Sequence, residues 1–213
     1  MIRDGDVLLF QGDSITNAFR MPNEINDAYR LGAGYVFLIA ARLRALRPHA
    51  GIRIENRGVS GDSLSRLRAR WHEDCLAIRP TLLSILVGIN NTAAGVDLEA
   101  DARDAEAFEQ EYDDLLVLTR KSLPKVRFVL CEPFLLPAGE VTDDRIRAIA
   151  LRQGAVRRLA ARHHAVFVPF QRVLADAMRI AAAEYWCYDG IHPTAAGHWL
   201  LAEAWMSAID HGG

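Results

Sequence analysis

The chain has 213 residues, of which 51% are hydrophobic and 24% are charged, and its formal net charge at pH 7 is -2. This length suits a single folded domain over residues 1–213, and the apolar fraction excludes an intrinsically disordered chain. The near-neutral charge argues against nucleic acid or an anionic membrane as a partner, because proteins that bind these carry a basic surface.

Short runs rich in valine, isoleucine and leucine alternate with longer segments of helical period. The runs predict parallel strands near residues 7–11, 52–55, 82–87, 126–131 and 166–169. The segments between and after them predict helices near residues 35–46, 64–78, 102–122, 144–163, 172–184 and 194–209. Such alternation predicts a doubly wound α/β sandwich with right-handed crossovers around a five-stranded parallel sheet.

Polar groups follow the predicted strands, at the end of the sheet where α/β proteins bind their ligands. They read GDSIT at residues 12–16, NRGVSGD at 56–62 and GINN at 88–91, and a fourth group, DGIHP at 189–193, precedes the last helix. The loop over residues 20–34 is the longest polar insertion, and long loops in compact domains are often functional.

Ser14 opens a helix directly after the first strand, where the positive helix terminus favours an attacking alkoxide. Asp189 and His192 are three residues apart, so that the carboxylate can orient the imidazole as a proton acceptor for a serine. Taken singly, each feature has an ordinary structural reading: a serine helix cap, and a surface acid–histidine pair.

An acyl-transfer site also needs hydrogen-bond donors for the oxyanion. The candidates are the backbone N–H groups of Ser14 and Gly61 and the side-chain amide of Asn90. A turn glycine and a capping asparagine are the structural alternatives.

In their order and approximate spacing, the four blocks resemble those of the SGNH/GDSL hydrolases over nearly the whole chain. This resemblance implies a flavodoxin-like, three-layer α/β/α fold. It also implies Ser14 as nucleophile, His192 as base, Asp189 as its partner, and an oxyanion hole of Ser14, Gly61 and Asn90. One departure is Asn91, where many relatives carry aspartate, and we expect its effect to be local.

The chain is most similar to small intracellular carbohydrate esterases of the xylan acetylesterase type. The stretches that carry this likeness are LGAGYV at residues 31–36, LRARWHED at 67–74 and HPTAAGHWLLAEAW at 192–205. The resemblance implies a serine esterase that deacetylates short xylo-oligosaccharides through an acyl-enzyme, without a cofactor or metal, and it allows self-association into a homo-oligomer. Candidate sugar contacts are Asp13, Tyr29, Arg30, Tyr35, Trp186 and Tyr188, for which burial is the alternative fate.

Three other functions stay open. A lysophospholipase or thioesterase would use the same triad with an apolar acyl tunnel, and an acetyltransferase would use it while excluding water. A noncatalytic carbohydrate-binding protein would need no triad. Three distant cysteines without CxxC spacing (Cys75, Cys131 and Cys187), an N-terminus interrupted by acidic residues and the lack of a membrane-length apolar run predict a cytoplasmic protein.

Overall fold

The computed structural model describes residues 2–92 and 98–211. Five strands form one parallel sheet in the order β2-β1-β3-β4-β5. The strands are β1 (Val7–Gly12), β2 (Arg53–Asn56), β3 (Leu82–Leu86), β4 (Arg127–Cys131) and β5 (Val166–Val168). The predicted five-stranded parallel sheet is confirmed, and its strand order is that of flavodoxin-like folds.

Helices connect the strands and follow the last of them. They are α1 (Ser14–Asn17), α2 (Asp27–Arg30), α3 (Tyr35–Leu46), α4 (Leu64–Ala69), α5 (Leu98–Ser122), α6 (Asp143–Arg162), α7 (Phe170–Ala177), α8 (Ala183–Trp186) and α9 (Ala195–His211). A π-helical turn at His72–Leu76 follows α4, and a 3-10 turn at Ile89–Asn91 follows β3. None of the helices within the described ranges has the length and apolar character needed to cross a bilayer.

The sheet separates two hydrophobic cores because successive strand residues point to opposite faces. Leu8 and Phe10 of β1 face the core built with α3, α7 and α9, whereas Leu9 faces the core built with α4, α5 and α6. Helices therefore cover both faces of the sheet, and the expected three-layer α/β/α sandwich is confirmed.

Two predicted helices are divided. The segment predicted at 64–78 leaves the α-helix after Ala69 and widens into the π-helical turn, a change that no proline or glycine marks in the sequence. The segment predicted at 172–184 ends at Ala177 and restarts at Ala183. There Trp186 is buried and its indole N–H donates to the Ala181 carbonyl, so tertiary packing overrides the helix propensity of the alanine-rich sequence.

The strand order reverses between β2-β1 and β3-β4-β5, which opens a crevice beyond the carboxyl ends of β1 and β3. The residues after β1, β2 and β3 all project to this end of the sheet. The fold thus brings together the polar blocks that are far apart in sequence.

Candidate active site

Ser14 is the first residue of α1 and is half-buried at the end of β1. Asp13 fixes this turn, because its carboxylate accepts a hydrogen bond from the backbone N–H of Ile15 at 3.0 Å. The Ser14 hydroxyl Oγ lies 2.9 Å from Nε2 of His192, a residue 178 positions away in sequence.

The Asp189 carboxylate holds both the side chain and the backbone of His192. One carboxylate oxygen lies 2.7 Å from Nδ1 of the imidazole, and the other accepts the backbone N–H groups of Ile191 and His192 at 2.9 and 2.7 Å. Burial raises the pKa of Asp189, but the hydrogen bonds from His192 and Ile191 outweigh burial and hold that pKa below its usual value. Asp189 is therefore an anion at neutral pH.

These contacts form an unbroken hydrogen-bonded chain from Asp189 through His192 to Ser14. Because the carboxylate accepts the Nδ1 hydrogen, Nε2 of the imidazole is left as the acceptor for the serine hydroxyl. This arrangement can remove a proton from Ser14 as the oxygen attacks a carbonyl carbon, and it can return the proton to a leaving group.

The expected oxyanion donors come from three different loops. Val59 N–H donates to the Gly12 carbonyl at 3.0 Å, which places the loop after β2 beside the turn that carries Ser14. The Asn90 amide donates to the Asp62 carbonyl at 3.0 Å, which ties Asn90 to the residue after Gly61. Gly61 adopts a φ of +81°, a conformation that glycine reaches without a steric penalty.

The backbone N–H groups of Ser14 and Gly61 donate to no other group within residues 2–92 and 98–211. The Asn90 amide uses one hydrogen for Asp62 and retains a second. All three groups therefore have a hydrogen to offer a ligand.

Asn91, next to Asn90 in the turn after β3, bonds to two helices. Its amide oxygen accepts the backbone N–H of Leu64 at 3.0 Å, at the start of α4, and its carbonyl accepts Arg152 at 3.0 Å. Asn91 therefore ties the turn after β3 to both α4 and α6.

Two further residues fasten the loops together. The Asn56 amide donates to the carbonyls of Thr16 and Leu31 at 2.6 and 2.8 Å. Arg70 donates to the buried carboxylate of Asp62 at 2.7 Å, and to Asp74 at 2.9 Å. Asn56 belongs to a polar block and Arg70 to the LRARWHED stretch, but their partners become visible only in the fold.

A cleft of about 310 Å³ opens beside Ser14 and His192. This volume is near the lower end of the range for small-molecule sites. The residues that line it come from α1, the loops after β1 and β2, and the segment that leads into α9. They are Ser14, Ile15, Asn17, Ala18, Phe19, Ser60, Tyr188, His192, Pro193 and His198. Only Ser14, Tyr188 and His192 of these were among the predicted site residues; the sequence did not single out the others, which include Asn17, Phe19, Ser60 and His198.

Three of the six candidate sugar contacts have the alternative fate and are buried. Tyr35 has no exposed surface and donates or accepts a hydrogen bond with the Thr16 hydroxyl at 3.0 Å. Asp13 is engaged in capping α1, and Trp186 packs into the core on the α9 side of the sheet. None of these three side chains is free to receive a sugar.

The other three expected contacts are at least partly exposed. Tyr188 lines the cleft, and its ring stacks on the His192 imidazole with centroids 5.9 Å apart. Tyr29 is exposed but does not line the cleft, and Arg30 is held by Asp27 and Glu55. Tyr188 alone of the three lines this cleft.

His198 is a buried histidine on the wall of the cleft. Its Nδ1 accepts the backbone N–H of Tyr35 at 3.2 Å, so Nε2 carries the ring hydrogen of the neutral imidazole. Burial and, to a smaller extent, the nearby His192 lower the pKa of His198 from 6.5 to about 4. His198 is thus neutral at physiological pH and stays neutral at mildly acidic pH, where an exposed histidine takes up a proton.

We predict that the His198 ring does not titrate between about pH 8 and about pH 5. Its pKa is lower in the folded than in the unfolded chain, so the unfolded chain takes up the proton first. The free energy of unfolding then falls, by on the order of 3 kcal/mol from this residue, as the pH drops from 6.5 towards 4. Histidine ring resonances followed by NMR during a pH titration measure this, and a midpoint near 6.5 for His198 would contradict it.

The cysteines offer no alternative nucleophile. All three are free and buried, and burial, with the neighbouring Asp189, raises the pKa of the Cys187 thiol to about 12. Thiolate is the reactive form, so Cys187 is inert near neutral pH. Across the residues that the structure describes, carboxylates, imidazoles and thiols form no group of three suited to a metal ion.

Comparison with known proteins places this geometry in a family. The GDSL-like lipase/acylhydrolase family profile matches residues 10–200. An acetylxylan esterase from Geobacillus stearothermophilus is 34% identical over 213 residues, spanning 98% of this chain and 95% of that protein.

Solved structures agree in fold. A GDSL-like protein from Parabacteroides merdae superposes with a TM-score of 0.90 at 35% identity, over 99% of this chain and 98% of that one. The crystal structure of the Geobacillus esterase gives a TM-score of 0.85 at 33% identity, over 98% of this chain and 95% of that one. The chain therefore belongs to the GDSL-like lipase/acylhydrolase family, and it is a carboxylic ester hydrolase.

Proposed function

We propose that this protein is a serine esterase that removes acetyl groups from short xylo-oligosaccharides or closely related sugars. The observation that carries the proposal is the hydrogen-bonded chain from Asp189 through His192 to Ser14 at the mouth of the cleft. In this proposal the three residues are the catalytic triad, and the substrate is a small acetylated sugar.

The first step forms an acyl-enzyme. Oγ of Ser14 attacks the acetyl carbonyl carbon while its proton passes to Nε2 of His192. The tetrahedral intermediate collapses as the bond to the sugar oxygen breaks, and His192 returns the proton to that oxygen. The products of this step are acetylated Ser14 and a free sugar hydroxyl.

The second step restores the enzyme. His192 takes a proton from a water molecule, whose oxygen attacks the acetyl carbon on Ser14. When the bond to Oγ breaks, His192 gives the proton back to Ser14 and acetate leaves. Asp189 stays ionised throughout and stabilises the transient imidazolium.

Negative charge on the carbonyl oxygen needs donors in both steps. We assign this role to the backbone N–H groups of Ser14 and Gly61 and to the Asn90 amide, which are the groups with hydrogens to offer. Donors that are already held in place stabilise the oxyanion without reorganisation, which explains the several bonds that fasten these loops.

The relatives support the choice of substrate. The Geobacillus protein is an acetylxylan esterase, also described as an acetyl-xylooligosaccharide esterase. Two of its crystallised variants are catalytic mutants, in which a serine and a histidine are replaced by alanine. We also propose a reducing cytoplasmic location for the present protein, which the three unpaired cysteines support.

Two assays test the proposed substrate class. One measures acetate release from acetylated xylo-oligosaccharides, and the other measures hydrolysis of 4-nitrophenyl esters of increasing acyl length. We expect acetate release and a steep fall in kcat/KM beyond short acyl chains, because the cleft of about 310 Å³ is small. A preference for long acyl chains would instead support a lysophospholipase or thioesterase.

The same assays separate hydrolysis from acetyl transfer. With unmodified xylobiose added as an acceptor, a hydrolase continues to release acetate in proportion to the ester consumed. Formation of acetylated xylobiose at the expense of acetate would support an acetyltransferase.

A further inference from the structure

Phe19 is held in a backbone conformation that side-chain-bearing residues rarely adopt. Ala18 and Phe19, which follow α1, have φ values of 43° and 62°. In this left-handed region the Cβ atom crowds the following carbonyl oxygen, so two consecutive non-glycine residues there are unfavourable. Such strain persists where the surrounding structure fixes it, and it is concentrated at functional sites.

The surrounding loops fix this strained segment closely. The Ala18 carbonyl accepts the backbone N–H of Ala33 at 2.8 Å, and Arg20 N–H donates to the Asn17 carbonyl at 2.9 Å. Gly32 packs so tightly that a Cβ atom on it would lie 2.5 Å from the Asn17 carbonyl oxygen. The backbone conformation at Phe19 is therefore held by contacts on both sides of it.

The aromatic ring of this strained residue, Phe19, is exposed to solvent. Phe19 is 88% exposed and takes no part in either hydrophobic core, yet it lines the cleft that contains Ser14 and His192. A ring held in this way contributes little to stability, so its position calls for a role at the cleft.

A second aromatic ring lines the same cleft. Tyr188 is 59% exposed, and its ring lies nearly parallel to the His192 imidazole, with an interplanar angle of 17°. The cleft thus presents two exposed aromatic side chains beside the reactive serine. An acetyl group is too small to require both, which leaves the alcohol part of the ester as their partner.

We infer that Phe19 is a specificity-determining residue that packs its ring against the sugar bearing the acetyl group. The C–H groups on the face of a pyranose are apolar and match the negative face of an aromatic ring. The inference rests on the proposed function, and it adds a contact for the sugar that is independent of the triad. It predicts that Phe19 contributes to KM for sugar esters and not to the chemistry of acetyl transfer.

The test compares two acetate esters in wild type, Phe19→Ala and Phe19→Gly. Peracetylated xylobiose supplies a sugar, and ethyl acetate supplies an acetyl group without one. We expect Phe19→Ala to raise KM for the sugar ester roughly three- to tenfold while kcat/KM for ethyl acetate changes less than about twofold. Phe19→Gly removes the same ring, so it should raise KM for the sugar ester equally.

Thermal unfolding of the same proteins tests the strain. Phe19→Gly should melt a few degrees above Phe19→Ala, because glycine tolerates the positive φ and alanine does not. Ile25→Ala is the matched control: Ile25 lies in the same loop and is 96% exposed, but it does not line the cleft. This control should leave KM for both esters unchanged.

The outcomes separate the inference from the proposed function. If wild type hydrolyses the sugar ester and Phe19→Ala does so with an unchanged KM, the inference is overturned and the proposed function stands. An equal loss with ethyl acetate would also overturn it, since Phe19 would then act on the site as a whole. If wild type hydrolyses ethyl acetate but not the sugar ester, the proposed substrate fails and the inference fails with it.

Discussion

Replacement of Ser14 by alanine is expected to lower kcat for 4-nitrophenyl acetate by roughly 10⁴- to 10⁶-fold. The variant keeps the oxyanion donors and the cleft but loses the oxygen that forms the acyl-enzyme. The one side chain that Ser14 Oγ hydrogen-bonds within the described residues is His192, so its loss leaves no other side chain without a partner. Alanine is also a good helix former at the start of α1. The fold should therefore remain, as measured by circular dichroism and thermal unfolding.

Ser60→Ala is the control for this prediction. Ser60 lines the same cleft and is exposed, but it lies outside the chain of hydrogen bonds to Asp189. Its replacement should change kcat by less than about threefold, within the usual effect of a rim substitution. An active Ser14→Ala protein, or an equal loss in both variants, would remove Ser14 from the role of nucleophile.

Asp189→Asn is expected to lower kcat by about 10⁴-fold, with a much smaller change in KM. An asparagine oxygen can still accept the backbone N–H groups of Ile191 and His192, so the turn should persist. The asparagine NH₂ then faces Nδ1 and favours the tautomer that places the ring hydrogen on Nε2. That tautomer cannot accept the proton of Ser14.

The matched control is Asp144→Asn at the exposed start of α6, where the carboxylate pairs with Arg147. Steady-state kinetics on the same ester should show this variant to be indistinguishable from wild type. Retention of activity within about tenfold in Asp189→Asn would mean that the carboxylate does not orient His192.

The features that we predicted correctly from the sequence depend on local residue patterns. The sheet follows from apolar runs, and the candidate site follows from polar residues directly after strands. The pairing of Asp189 with His192 needs only a turn of three residues, and the distance of 2.7 Å is a consequence of that turn. These features depend on neighbours in the chain, so a sequence is enough to indicate them.

Long-range packing accounts for what the sequence did not predict. Tyr35 is buried in the core between Phe10 and Phe170, and its backbone N–H donates to His198, 163 residues later. Arg152 of α6 is fully buried against Asp101, 51 residues away. No local pattern carries such partners.

The strained backbone at Phe19 also depends on residues far from it in sequence. In the sequence Phe19 is an aromatic residue three positions after the GDSIT block, and no glycine stands there to indicate a positive φ. Its conformation is imposed by Ala33 and Gly32, which return to α1 at the end of the long loop. The loop was expected to be functional, and it now has a specific proposed role in displaying this ring.

Covalent labelling tests most directly whether Ser14 is the residue that carries the acyl group. The protein is treated with diethyl 4-nitrophenyl phosphate, the modified peptide is identified by mass spectrometry, and acetate release from acetylated xylo-oligosaccharides is measured in parallel. We predict one adduct, on Ser14, whose formation matches the loss of acetate release, and no adduct in Ser14→Ala. An adduct on another residue, or full activity of protein modified at Ser14, would contradict the account.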